Sequence, residues 1–150
     1  MTRMEALFEK LGNLSTVNNL ANEFYEVMDH DPKAKELRAI HPENMYMSKK
    51  TMYRFLSHWS GGPKLFSDEY VNGKWLELRH RNVELSEQHR QHWLYCMETA
   101  MANLHFNNDL IQELLSRFSS LINAMIANDQ VLHRILNYQI TECVLNRRIN

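Results

Sequence analysis

The chain has 150 residues, 44% of them hydrophobic and 23% charged, the balance of a single globular domain and not of a disordered segment. A formal net charge of −1 supplies no bulk attraction for nucleic acid or for an anionic membrane. Four glycines and three prolines are too few for a turn-rich sandwich or barrel, and no Gly-rich phosphate cradle of either familiar spacing is present.

Charges are scattered through the first ten residues, which therefore lack the apolar run of a signal peptide. No stretch approaches the ~18 apolar residues of a membrane span, so the expected location is cytoplasmic. Val17, Leu20, Ala21, Phe24, Tyr25 and Met28 recur at helical spacing, with Ser15 or Thr16 as the expected N-cap. Asp31-Pro32 breaks that helix, and a short turn through Lys35–Ala39 leads to His41-Pro42, where Pro suits the first turn of the next helix. Met45, Ser48, Met52, Phe55, Leu56 and Trp59 form its inner stripe, and Gly61-Gly62-Pro63 ends it.

A loop over 64–73 and a short helix over 74–81 are expected next. Ser86 then caps a helix whose stripe is Trp93, Leu94, Met97, Ala100, Met101 and Leu104. Asn107-Asn108-Asp109 opens another, through Leu110, Ile111, Leu114, Leu115, Phe118, Ile122, Met125 and Ile126. A last amphipathic helix is expected over residues 129–150. The fold class is all-α, with a main domain over 1–128 and a C-terminal helical extension over 129–150.

Three kinds of site suit such a chain. A di-iron centre needs two E-x-x-H turns; only Glu77 to His80 fits, so half of the ligand set is missing. His89, His92 and Cys96 share one side of a helix and could begin a zinc site. They have no second ligand cluster, and a solvated helix end with Cys96 packed as a small apolar residue is the better account. A haem site needs one axial His, an apolar slot and distal polar groups. His80, beside Arg79 and close to Trp75, Leu76 and Leu78, suits the first of these, although spacing alone would leave it a surface histidine.

Four pieces in order carry a resemblance: Glu23-Phe24-Tyr25, Gly61-Gly62-Pro63-Lys64-Leu65-Phe66, Leu78-Arg79-His80, and Trp93-Leu94-Tyr95-Cys96-Met97. Together, over about residues 4–127, the chain resembles the group II truncated haemoglobins of bacteria. The resemblance implies a truncated globin, a two-over-two helical sandwich around haem b (iron protoporphyrin IX), here with an extra C-terminal helix. It implies His80 as proximal iron ligand and Tyr25 and Trp93 as distal donors. It places His41 at the corner against the haem face, where the family has Phe or Tyr. Ser48 stands where other globins carry a distal His, with Met52 one turn on. Met52, Phe55, Leu56, Met97 and Met101 would line the slot. Arg79 and Lys50 would meet the propionates, and Phe66 replaces a tyrosine of that rim.

The implied function is reversible binding of O2, and of NO and CO, with NO or peroxide detoxification fed by an external reductase. His41 adds a third polar group, so an unliganded iron partly six-coordinate through Tyr25 or His41 is expected. Arg81-Asn82-Val83-Glu84 departs from the family's apolar, proline-containing turn, which implies a more exposed proximal hinge. The extension suggests docking on the domain or a homodimer contact. Two readings of other classes stay open at this point: a helical interaction module that has lost haem, and a haem-based gas sensor acting through a partner.

Overall fold

The computed structural model describes residues 3–65, 86–124 and 126. Helix α1, Arg3–Leu11, buries Leu7 and Leu11 one turn apart. Gly12 ends it with φ of 111°, a left-handed conformation that glycine adopts without strain, and its N–H donates to the Phe8 carbonyl at 3.0 Å.

Helix α2, Leu14–His30, starts one to two residues before the expected caps. Asn13 is the N-cap: its Oδ1 accepts from the Thr16 N–H at 3.0 Å and from the Thr16 hydroxyl at 3.3 Å. Asn at this position satisfies a free first-turn N–H as well as Ser or Thr would, and it occupies the extended backbone position that a cap requires. The expected stripe is the buried one, with Val27 added to it. Asp31 then caps a single 3₁₀ turn, Pro32–Ala34, by accepting from the Lys33 N–H at 3.0 Å.

Lys35–Ala39, expected as a turn, is a short helix, α3, with Leu37 buried beneath it. The next helix does not begin at Pro42. Residues 41–45 are irregular and α4 runs Tyr46–Trp59, entered through the Asn44 side chain, which accepts from the Tyr46 N–H at 2.9 Å. The cause is Arg38, whose guanidinium donates to the carbonyls of His41, Pro42 and Glu43 at 3.5, 3.0 and 2.9 Å. A helix over these residues would turn those carbonyls away from the arginine.

Met45 at the start of α4 and Ser48, Met52, Phe55 and Leu56 within it are buried as expected, and Trp59 is half-buried. The helix ends at Ser60 and the Gly-Gly-Pro run fastens it to α1. The Phe8 N–H donates to the Ser60 carbonyl, and the Ser57 hydroxyl to the Pro63 carbonyl at 2.6 Å. A Cβ at Gly62 would collide with the Phe8 ring, so glycine permits this close approach.

Helix α5, Glu87–Asn103, has the expected Ser86 cap, and His89 closes a reciprocal capping box with it. After a positive φ at His105, Asn107 caps helix α6 over 108–124 by accepting from the Asp109 N–H at 2.8 Å. Ile111, Leu114, Phe118 and Ile122 are its buried stripe. The pair α2 and α4 packs over the pair α5 and α6, a two-over-two helical sandwich with no strand among the described residues. The segment over 66–85, with its expected short helix, and the extension over 129–150 lie outside the described residues.

Candidate functional site

The candidate site gathers on the inner faces of α2, α4 and α5 and at the corner after α3. Tyr25 lies on the buried face of α2 and is only 6% exposed. Its ring meets Phe24 edge-on at 5.0 Å and His41 edge-on at 5.8 Å. His41 is half-buried and is not turned away into water as a histidine preceding proline could be. Its Nδ1 lies 2.8 Å from the Leu37 carbonyl. A carbonyl oxygen only accepts, so Nδ1 donates, and in the neutral ring Nε2 is the acceptor.

Trp93 enters from α5. Its ring is 5.1 Å from Phe24 and 5.3 Å from Phe118, and Phe118 in turn stacks on Trp59 at 4.6 Å. Phe24 thus bridges Tyr25 and Trp93, which fixes both aromatic donors on one rigid seam. The apolar lining is contributed by Met52, Phe55 and Leu56 of α4 and by Met97 and Met101 of α5, all buried in one core. Cys96 beside them is fully buried, and burial pushes its thiol up to about 12, so it packs as an apolar residue and is inert.

Of the residues expected at the site, Tyr25, His41, Trp93, Met52, Phe55, Leu56, Met97 and Met101 are described and fall on these three helices and the corner. Lys50 is exposed on the outer side of α4 and places its ammonium over the Tyr46 ring, 4.6 Å from the centroid. His80, Arg79 and Phe66 lie outside the described residues.

Two assignments need correction: Lys50, expected at the propionates, stands on the face of α4 opposite its buried stripe, and the solvated placing of His92 does not hold. His92, expected in a solvated stretch, is half-buried, and its Nδ1 is enclosed with no hydrogen-bond partner among the described residues. It stands one turn before Cys96 on the same inward side, so packing draws it in. His89 uses its Nδ1 to accept from the Ser86 N–H at 3.1 Å, a capping role that spacing did not suggest.

The chemistry of these residues suits a large, flat, apolar group together with a small polar ligand. The site's apolar members are Met, Leu and Phe side chains, and the tyrosine, tryptophan and histidine rings are joined along one seam through Phe24. Ser48 adds to this: its Oγ is buried on the inner face of α4 and has no partner among the described residues. A buried hydroxyl without a partner costs stability unless something else satisfies it. The residues present therefore fit the haem and ligand that the sequence resemblance implies.

Sequence reasoning passed over Arg38. Beyond its three carbonyl contacts it donates to Asp29 Oδ1 at 2.8 Å, and that bond holds the Asp29 carboxyl below the usual carboxylate range. One side chain thereby fixes the corner that presents His41. The only signal was an arginine three residues before His-Pro, too weak to read. Also missed was the 2.6 Å bond from the Tyr95 hydroxyl to Asp31, which ties α5 to the end of α2.

Comparison with known proteins agrees with this fold. A family model described as bacterial-like globin matches residues 6–127. The solved truncated haemoglobin of the Antarctic bacterium Pseudoalteromonas haloplanktis TAC125 is 32% identical, covers 79% of this chain and 95% of its own, and superposes with a TM-score of 0.71. The group II 2-on-2 haemoglobin of Agrobacterium tumefaciens is 31% identical, over 79% and 92% of the two chains, also with a TM-score of 0.71. A group 2 truncated haemoglobin of Bacillus subtilis is 25% identical over 121 residues, 81% of this chain and 88% of that protein.

Proposed function

The chain belongs to the bacterial-like globins, and within them to the group II truncated haemoglobins; from that premise of a haem-binding globin, we propose that it holds haem b on His80 and retains O2, NO or CO under Tyr25, Trp93 and His41. Haem supplies the reversible binding of diatomic gases and the redox chemistry of its iron. The observation that supports the reading is the seam His41–Tyr25–Phe24–Trp93, which links three side chains with polar groups beside an apolar core.

The Tyr25 hydroxyl and the Trp93 indole N–H are donors in a water-poor pocket, where a hydrogen bond to a polarised ligand is worth more than in water. Met52, Phe55, Leu56, Met97 and Met101 would exclude water and grip the flat group; Arg79 would meet its carboxylates at the rim, beside Phe66, while Lys50 stands on the outer face of α4, away from that rim. Donors that hold a ligand slow its release. That favours conversion of NO or peroxide over delivery of O2, with electrons drawn from an external reductase. In this reading residues 1–128 form the globin unit and 129–150 an added segment that packs on it or on a second copy.

The test is the visible absorption of the purified protein in ferric, dithionite-reduced and CO-bound forms. A Soret band that shifts with CO and is lost in His80→Ala is expected. A folded chain that takes up no haem, or a band unchanged in His80→Ala, overturns the assignment.

A further inference from the structure

We propose that the outer face of α4 is the docking surface for an acidic electron-donor protein, a point that rests on the reading above that the iron is reduced by an outside partner. Helix α4 carries Lys49, Lys50 and Arg54 and no aspartate or glutamate along its whole length. Its neighbour α2 is the reverse, with Glu23, Glu26 and Asp29 and no lysine or arginine. Within a chain of formal net charge −1, the adjacent helices α2 and α4 thus carry opposite signs, and a second basic group, Lys33, Lys35 and Arg38, lies around α3.

The apolar part of the surface lies on the same helix. Tyr46 and Met47 are the exposed large hydrophobic residues among those described, at 58% and 55%. Met47, Lys50, Arg54 and His58 follow at i, i+3, i+7 and i+11, one stripe opposite the buried stripe of Met45, Ser48, Met52 and Phe55. Lys50 already leans over the Tyr46 ring, and Arg54 has no ion-pair partner among the described residues. Lys49 is taken by Glu26 at 2.7 Å, and the cleft on that flank also holds Asp29, Arg38 and Glu43. The attractive side of the patch is therefore the Met47, Lys50 and Arg54 side.

Charge complementarity selects the partner. Met, Tyr and Arg are the residues enriched in contact surfaces, and small, charge-steered interfaces are those of transient electron-transfer encounters. An anionic membrane would need more cations than one helix offers beside an acidic neighbour. Position agrees as well: the inner stripe of α4 faces the candidate site, so the outer stripe is about one helix diameter, ~10 Å, from it. In each encounter the donor's reduced flavin or iron–sulfur centre loses one electron and the ferric iron gains it; no atom or proton crosses.

The probe is a flavodoxin, an acidic flavin protein, titrated in its oxidised form into the ¹⁵N-labelled CO-bound full chain and used reduced in stopped flow against the ferric form. Amide shifts confined to 46–58 are expected, with affinity falling about tenfold or more between 20 and 200 mM salt. Arg54→Glu and Met47→Glu should slow reduction by flavodoxin at least about fivefold, while reduction by free reduced flavin and the Soret band stay as in the parent. Shifts mapping elsewhere, or an Arg54→Glu variant that behaves as the parent, overturn the surface. So does a concentration-dependent dimer that Arg54→Glu dissolves, or binding of anionic vesicles through the same residues. Shifts on α4 without faster reduction overturn the electron donor as occupant. Failure of the globin reading itself would show separately, as a missing Soret band.

Discussion

Tyr25 touches Phe24 and His41 through its ring, so Tyr25→Phe removes a hydroxyl and leaves the packing in place. One hydrogen bond to a polarised ligand in a dry pocket is worth about 1.5–3 kcal/mol. O2 release should therefore quicken about tenfold to a hundredfold in Tyr25→Phe, measured by stopped-flow displacement with CO. An unchanged rate would leave Tyr25 as a packing residue. His41 is held by its Nδ1, which restricts what the ring can do: any interaction with the ligand or with iron falls to Nε2. Ser48 poses the opposite case. Its Oγ is buried without a partner among the described residues, on the interior of a helix where Ala is the better former. Without haem, Ser48→Ala should be more stable in urea by about 0.5–2 kcal/mol, because a desolvated hydroxyl is removed. A loss of stability instead would mean that the hydroxyl has a protein partner.

The segment from α3 to α4 depends on one arginine. Arg38 spans the Asp29 carboxylate and three successive carbonyls, and its side chain is 23% exposed. Arg38→Gln keeps a hydrogen-bonding group but loses the fork, so stability should fall by about 1–2 kcal/mol, discounted for partial exposure. The corner bearing His41 should also loosen, seen as faster hydrogen exchange over residues 41–45 with little change in α5. Equal exchange across both would show that the arginine is not the clasp. This element also shows where sequence reading succeeds and stops. The stripes of α2, α4, α5 and α6 were legible because burial repeats every three to four residues and Phe24, Leu56, Met97 and Phe118 lie on that period. The start of α4 was not legible. Pro42 favours a helix locally, and the side chain that overrides it belongs to the previous helix. The pocket divides in the same way. Tyr25 and Trp93 could be named from the company they keep in the sequence, whereas the Phe24 ring that joins them and the orphaned hydroxyl of Ser48 emerge only when three helices are assembled.

Across the whole molecule the charged contacts set a window of pH. Asp29 is held low by the Arg38 bond, Asp31 by the Tyr95 hydroxyl and the Lys33 N–H, and Glu113 by Lys10 at 2.9 Å. A carboxyl whose value is depressed by folding contributes stability that is present above its unfolded value and lost as pH falls through its folded one. At the alkaline end the signs reverse. Tyr95 is raised above its ordinary 10.0 by its bond to Asp31, and Cys96 is raised from 9.0 to about 12 by burial. Such groups stabilise fully below their unfolded values and cease to do so as pH rises through the folded ones, because only the unfolded chain can ionise in between. The melting temperature should accordingly be flat between about pH 5 and 8.5 and fall on both sides. Tyr95→Phe separates these causes, since one bond shifts both Asp31 and Tyr95. Removing it should make the acid slope shallower, by returning Asp31 toward its ordinary value, and should take Tyr95 out of the alkaline limb while Cys96 remains. The check is a set of melting curves from pH 3 to 11 for the parent and Tyr95→Phe, both with haem bound so that its contribution is common to the pair. If the two curves differ by a constant offset at every pH, the Tyr95–Asp31 bond is only a packing contact and the pH window has other origins.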